Sequence, residues 1–158
     1  MATQKFTTTP HVRPFSTATI EVGEPIAIEQ PDGLKRVIPI NGGTVTGDGW
    51  HGVVLPGGAD HQTIRVPEAM DLHAISMMQV EDGPIIRVEN HAIRAGDPDV
   101  IERLNRGEEV DPELIYFRGA ARLSTGPDNE FSWINSRLFL ATGERHPRSV
   151  TVNLFVVE

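Results

Sequence analysis

The chain has no cysteine among its 158 residues. Disulfide staples, thiolate nucleophiles and thiolate metal centres are therefore excluded. Lysine is confined to Lys5 and Lys35, so nearly all cationic side chains are arginines. No apolar run approaches the ~20 residues that cross a bilayer as a helix, and the N-terminus has no apolar leader segment. The expectation is a soluble, cytoplasmic protein. An excess of positive charge is missing too: the net charge is −8 and the isoelectric point about 5.2. Such a surface repels phosphate backbones and anionic headgroups, so neither nucleic acid nor membrane is an expected partner.

Several catalytic devices are also absent. There is no Gly-x-Ser-x-Gly elbow, and Ser76 has no base partner that spacing would supply. There is no phosphate loop of the Gly-x-x-x-x-Gly-Lys type. The six histidines are His11, His51, His61, His73, His91 and His146, with no His-x-His pair and no His-Glu-x-x-His. The run Pro56-Gly57-Gly58-Ala59-Asp60-His61 echoes the second metal box of cupins, but the first box is missing. A cupin centre draws ligands from both, so no metal and no cofactor are expected. His51, His73 and His91 fall in predicted strands; they either converge across a sheet or are ordinary surface histidines.

What the chain does have is turn punctuation. Fifteen glycines and twelve prolines are distributed along the chain as turn signals between short apolar runs, a pattern of turn-rich β structure. Strands are predicted at 15–22, 26–29, 34–40, 43–46, 50–55, 60–66, 71–80, 84–94, 114–123, 138–141 and 150–157. Gly47-Asp48-Gly49 and Glu81-Asp82-Gly83 are hairpin signals, because Asp-Gly supplies the turn dihedrals. Asp97, Pro98 and Gly107 bracket one helix as N-cap, first residue and stop. A short helical or irregular piece is expected around 130–136. Residues 1–14 read as a flexible, Thr- and Pro-rich segment, and 15–158 as a single domain. About eight to ten strands with one short helix predict a closed antiparallel all-β barrel, wide enough at ~8 strands to hold one small ligand.

Within that frame the chemistry-bearing candidates are few. Asp60 follows small residues, so its carboxylate sits either at a barrel mouth as an acid–base group or in an Asx-type turn. Asp82 reads as a turn residue. Tyr116 and Arg118 alternate with Phe117, so they share one face, inner or outer. Trp133 and Asn135 flank the irregular piece, where Trp133 either stacks on a ligand or plugs the barrel end. Arg36 either holds a ligand carboxylate or forms a surface ion pair.

Five pieces in order carry a resemblance. They are Arg36 leading to Ile40-Asn41-Gly42-Gly43, then Leu55-Pro56-Gly57-Gly58-Ala59-Asp60, then Asp82-Gly83, Tyr116-Phe117-Arg118 and Trp133-Ile134-Asn135. Over residues 20–158 the chain resembles the bacterial and fungal family of small barrels known as domain of unknown function 3237. Where that family commonly has an aromatic after the Gly-Gly-Ala-Asp run, this chain has His61, which implies an altered ligand preference if that position lines the pocket. The family in turn resembles allene-oxide-cyclase-like, dirigent and calycin-like barrels, which act on apolar small molecules without metals. The resemblance and the missing covalent and metal devices together imply a cofactor-free isomerase, cyclase or lyase. Its substrate would be a small carbonyl- or aromatic-containing metabolite, an apolar or aromatic oxygenated ligand. Asp60 would move the proton, Tyr116 and Arg118 would polarise an oxyanion, and Arg36, His61, Trp133 and Asn135 would bind. Asp60, Tyr116, Arg118 and Trp133 are expected to line one cavity. The alternatives are a non-catalytic binding barrel and a cupin-like metal protein. Surplus apolar strand surface at Met77, Met78 and 150–157 predicts a homo-oligomer.

Overall fold

Apolar alternation and the glycine-marked turns produce ten strands, which a computed structural model describes over residues 8–67 and 69–158. Residues 1–7 of the expected flexible segment lie outside the described residues. The strands are β1 (Val12–Val22), β2 (Ile26–Gln30), β3 (Gly33–Gly47), β4 (Trp50–Val54), β5 (Ala59–Val66), β6 (Ala69–Val80), β7 (Ile85–Gly96), β8 (Ile115–Ser124), β9 (Phe139–Arg145) and β10 (Ser149–Val157). Helix α1 (Pro98–Asn105) follows β7. It is built as the caps predict: the Asp97 side chain accepts from Asp99 N at 3.0 Å, and Ile101 and Leu104 are its buried face. None of the described helices is long and apolar enough to cross a membrane.

Pairing is antiparallel throughout, and the sheet closes on itself. The order runs β1-β10-β9-β8-β7-β6, continues through β4 and β5 to β3, and returns to β1 by the β1–β3 ladder. The result is the antiparallel all-β barrel that the turn pattern predicts. One stave is shared: β4 and β5 both lie between β3 and β6, each covering one half of the barrel's height. Among the described residues β2 pairs only with the first half of β3 and forms an exposed arm.

Two local differences from expectation have clear causes. β1 begins at Val12, not at residue 15, because β10 extends to Val157 and offers residues 12–14 a ladder. The two strands expected at 34–40 and 43–46 are one, β3. Gly42 and Gly43, at φ +147° and +144°, bend it without ending it. A Cβ at Gly43 would collide with the Thr19 carbonyl oxygen of β1, so this crossing requires glycine.

The interior divides into two ends. At one end, Phe15 meets Trp50 at 5.5 Å and Phe139 at 5.3 Å between ring centroids, and Trp50 meets Phe131 at 5.3 Å. Ile86, Leu123, Ile134 and Val156 complete this dry plug. Each buried side chain of this size contributes about 1.5–3 kcal/mol, and each aromatic pair about 0.5–1.5 kcal/mol more. The other end has only a small apolar group, Met70, Leu72, Ala92 and Phe117. Ile64, Ile115 and Val150 pack against it, and polar residues share the inner positions there.

Candidate functional site

Strand parity builds the polar end. β5 starts just after Gly57-Gly58, and its inward positions are Asp60 and Gln62. On β7 the inward series is Ile86, Val88, Asn90, Ala92 and Arg94, so two polar residues occupy the apolar phase of a strand. β9 contributes Arg145. The ladders set Ala74 between Asp60 and Asn90, and Gly119 opposite Ala92. These small residues leave space where a barrel of this size would otherwise be filled. The space is a cavity of about 60 Å³ lined by Asp60, Gln62, Asn90 and Arg145, with Ile38, Leu72 and Phe117 among its apolar walls. A cavity of this size admits a few waters or one small polar group. Gly119 is part of the construction: a Cβ there would overlap the Asn90 side-chain oxygen.

The hydrogen bonding is incomplete in a directed way. Gln62 Nε2 donates to Asp60 Oδ2 at 2.9 Å. Asp60 Oδ1, Gln62 Oε1 and Asn90 Oδ1 are buried with no protein partner, and so is Arg94 Nε. Each such atom costs about 1–3 kcal/mol when left unpaired. Three acceptors around one cavity therefore point to an occupant with donors.

The charges are unbalanced as well. Arg94 is 3% exposed; its Nη2 lies 3.1 Å from Met70 Sδ and 3.5 Å from Asn105 Oδ1, and its guanidinium sits 5.9 Å from the Phe117 ring centroid. Burial pulls the Arg94 guanidinium down to about 10, against the upward effect of Asp60, which leaves it charged at neutral pH. Arg145 donates to the Ser149 carbonyl oxygen at 3.0 Å. Burial also lowers Arg145 and Arg36, and both feel the field of Asp60. Asp60 itself is held above the ordinary carboxylate value. Burial outweighs the Gln62 hydrogen bond and the Arg94, His61 and His73 charges. One carboxylate thus stands among the guanidiniums of Arg36, Arg94 and Arg145, a net positive interior that suits an anionic or oxyanion-forming guest.

The expectation of one cavity holding Asp60, Tyr116, Arg118 and Trp133 is corrected by the packing. Phe117 takes the inward phase of β8, over Gly143, where a Cβ would come 2.7 Å from its ring. Tyr116 and Arg118 therefore face outward. Tyr116 is 56% exposed, and the Arg118 guanidinium lies 5.7 Å from its ring centroid. Both line an external groove of about 620 Å³ with Val12, Ile93 and Leu140. That groove is wider than the inner cavity, but the orphaned buried oxygens of Asp60, Gln62 and Asn90 gather around the inner cavity. Trp133 belongs to the opposite end, 5.7 Å from Phe15 and 6.3 Å from Phe139. Asn135 clasps Thr125, accepting from its N at 2.8 Å and donating to its O at 3.1 Å. His61 is exposed on the outer face of β5, and no histidine lines the inner cavity. Asp82 holds the turn at φ 54°. Of the residues singled out from sequence, only Asp60 and Arg36 fall in the polar end. Gln62, Asn90, Arg94 and Arg145 complete it. The legible signal for them was a polar residue in the inward phase of a strand.

Comparison with known proteins agrees with the architecture. The family model described as "Protein of unknown function (DUF3237)" matches residues 10–157. A UPF0311 protein of Bradyrhizobium diazoefficiens is 43% identical over 142 residues, covering 89% of this chain and 92% of its own. The crystal structure of a conserved protein of unknown function from Rhodopseudomonas palustris superposes with a TM-score of 0.89 at 37% identity, covering 97% of this chain and all of that one. An enzyme from Penicillium herquei has the same fold, at a TM-score of 0.70 and 18% identity, covering 99% of this chain and 100% of its own. With a matching model over nearly its whole length and relatives this close, the chain belongs to the DUF3237 (UPF0311) family of β-barrel proteins.

Proposed function

We propose that the polar end of the barrel is the active site of an isomerase, cyclase or lyase whose proton transfers are made by the chain's own side chains. The substrate class is a small carbonyl-bearing metabolite that enters the cavity of about 60 Å³ by its reacting carbonyl end. The observation that carries the reading is the set of orphaned buried oxygens of Asp60, Gln62 and Asn90 around one cavity, within the field of three arginines. The fold also serves catalysis elsewhere, since the Penicillium herquei protein is described as an enzyme.

The chemistry follows from the placement. Asp60 Oδ1 is the unengaged carboxylate oxygen, and its raised affinity for protons brings it nearer the range useful at neutral pH. It removes a proton from carbon next to the substrate carbonyl. The C–H electron pair moves toward that carbonyl and leaves an enolate oxygen. The guanidiniums of Arg94 and Arg145 stabilise that charge, the role the sequence suggested for Tyr116 and Arg118. Return of the proton to another carbon isomerises the substrate; ring closure or loss of a β-substituent by the same enolate gives a cyclase or lyase. Gln62 Oε1 and Asn90 Oδ1 accept from substrate hydroxyl or N–H groups and fix its orientation. Arg36, half-buried and without a hydrogen-bond partner among the described residues, takes a carboxylate on the substrate's outer portion.

A test that needs no prior substrate is hydrogen–deuterium exchange. Small oxo acids and aryl ketones are incubated with the protein in heavy water, and proton NMR follows their α-hydrogens. At least one compound is expected to exchange with the native protein and not with Asp60→Asn. Equal exchange by both proteins would overturn the assignment. Binding in the barrel without exchange, abolished by Arg145→Leu, would identify a binding module instead.

A further inference from the structure

The outer face of the β5–β6–β7 wall carries a cluster that the interior chemistry does not use. The ladder places His61 opposite His73, and His73 opposite His91, so three histidines form a row across three adjacent strands. Glu89 stands two residues before His91 on β7 and therefore projects from the same face. The His73 and His91 rings stack with centroids 4.0 Å apart and 19° between their planes. Both Nε2 atoms approach the same carboxylate oxygen, Glu89 Oε1, at 2.8 Å for His73 and 3.6 Å for His91. The two ring nitrogens and the carboxylate oxygen lie within 4.8 Å of one another, the one such group among the described residues.

A surface ion pair accounts for only part of this arrangement. An exposed pair contributes about 0–1 kcal/mol and needs one histidine, not two stacked ones turned toward one oxygen. The second carboxylate oxygen, Glu89 Oε2, accepts from Arg87 Nη1 at 3.0 Å. That bond orients the carboxylate and keeps Oε1 toward the rings, as outer partners do for metal-binding carboxylates.

We propose that His73, Glu89 and His91 form a site for a divalent first-row transition-metal ion of the zinc type, bound through the two Nε2 atoms and Glu89 Oε1. Two imidazoles with one carboxylate suit zinc and its neighbours, whereas magnesium and calcium prefer all-oxygen surroundings. The backbone register already supplies the spacing; small ring rotations bring the donors to the ~2.0–2.2 Å of zinc bonds. Three protein donors leave a coordination position open toward a groove of about 360 Å³ lined by His61, Thr63 and Asp71. The open position takes water or the oxygen of a small anion, and His61 stands next in the row beside it.

The test is calorimetric titration of the chelator-treated full chain with zinc chloride, with magnesium chloride as the comparison. One zinc per chain is expected, with no magnesium binding. His91→Ala and Glu89→Gln are each expected to weaken it about tenfold or more, a loss of about 1.4 kcal/mol. Asp60→Asn, inside the barrel, is expected to leave the titration unchanged. His146→Ala, at an exposed pair with Glu109 elsewhere on the surface, is expected to do the same. Cobalt(II) in place of zinc gives visible bands whose intensity reports nitrogen and oxygen coordination, and these vanish in His73→Ala. The proposal is overturned by the absence of saturable zinc binding. It is equally overturned if His91→Ala and His73→Ala bind as the native chain does, or if His146→Ala loses the metal to the same degree. Circular dichroism on each variant separates loss of the site from loss of the fold.

Discussion

The two ends of this barrel are built from the same strands and obey opposite rules. At the plugged end the inward positions are mostly apolar, and Phe15, Trp50, Phe131 and Phe139 interlock. At the polar end the same strands carry Asn90, Arg94 and Arg145 inward, with Ala74 and Gly119 making room. β7 shows the switch within one strand: Ile86 and Val88 belong to the plug, Asn90 and Arg94 to the cavity. The lesson is a division of labour along the barrel axis. One end supplies the burial that holds the ring closed. The other retains unpaired polar atoms, whose cost is tolerable because the plug offsets it.

The sharpest break of that contrast is a truncation in the plug. Phe139, 1% exposed, sits at its centre. Phe139→Ala is expected to cost about 3–5 kcal/mol in urea unfolding, with cavity chemistry affected only through loss of the fold. A result under 1 kcal/mol would mean the plug is not what holds the barrel.

At the polar end, an added methyl should act on geometry first. Gly119→Ala places a Cβ into the space of the Asn90 amide. The expected cost is about 1–3 kcal/mol from overpacking, together with loss of any cavity ligand. Ligand binding at native strength in this variant would show that Asn90 does not line the occupied space.

Acidity separates inside from outside more finely. The folded-state affinity of Asp60 for protons is raised, so this group contributes stability below its ordinary value of 3.8, and the contribution is lost as pH rises through the higher folded value. Glu89 on the outer wall behaves oppositely. Its folded value is about 2 against an ordinary 4.5, so its contribution is present above 4.5 and lost as pH falls toward 2. Asp60→Asn is therefore expected to gain on the native chain as pH rises above 3.8, and Glu89→Gln to fall behind it as pH rises from about 2 toward 4.5. Carboxyl carbon NMR of both residues gives the same answer directly, and a normal Asp60 titration would remove the argument for proton transfer.

The smallest effect concerns α1, whose Asn105 reaches Arg94 beside the polar end. Asp97→Ala removes the N-cap and is expected to cost about 1 kcal/mol, with amide exchange accelerated in the first turn of α1 and not at the plug.

The barrel itself was legible because its turns are chemically explicit. Gly47-Asp48-Gly49, Asp82-Gly83 and the Asp97-Pro98 start each name a local conformation that tertiary packing did not override. The polar end was only half legible. Asp60 and Arg36 stand beside glycine-rich runs and draw attention, whereas Asn90, Arg94 and Gln62 sit on strands whose outer residues, His61, Glu89 and His91, are polar as well. Where both faces of a strand are polar, alternation no longer distinguishes inside from outside. β8 misled for the converse reason. Its inner positions, Gly119 and Ala121, are small, so Tyr116 and Arg118 looked as fit to face inward as Phe117. Only the ring's closure, which sets Phe117 over Gly143, decides the matter.

The stave shared by β4 and β5 bears on how such a protein can diversify. Elsewhere a single strand serves both ends, so an insertion or a register slip in it disturbs plug and cavity together. Here the stave is two separate pieces of chain, joined at Pro56-Gly57-Gly58 and tied to β3 by Ile40, which donates to the Gly58 carbonyl at 2.9 Å and accepts from Gly57 at 3.2 Å. Asp60 and Gln62 lie on the piece beyond the joint. That piece can lengthen, shift or exchange residues while β4 keeps its place in the plug, so the joint lets the barrel acquire new specificities on one panel without renegotiating its foundation.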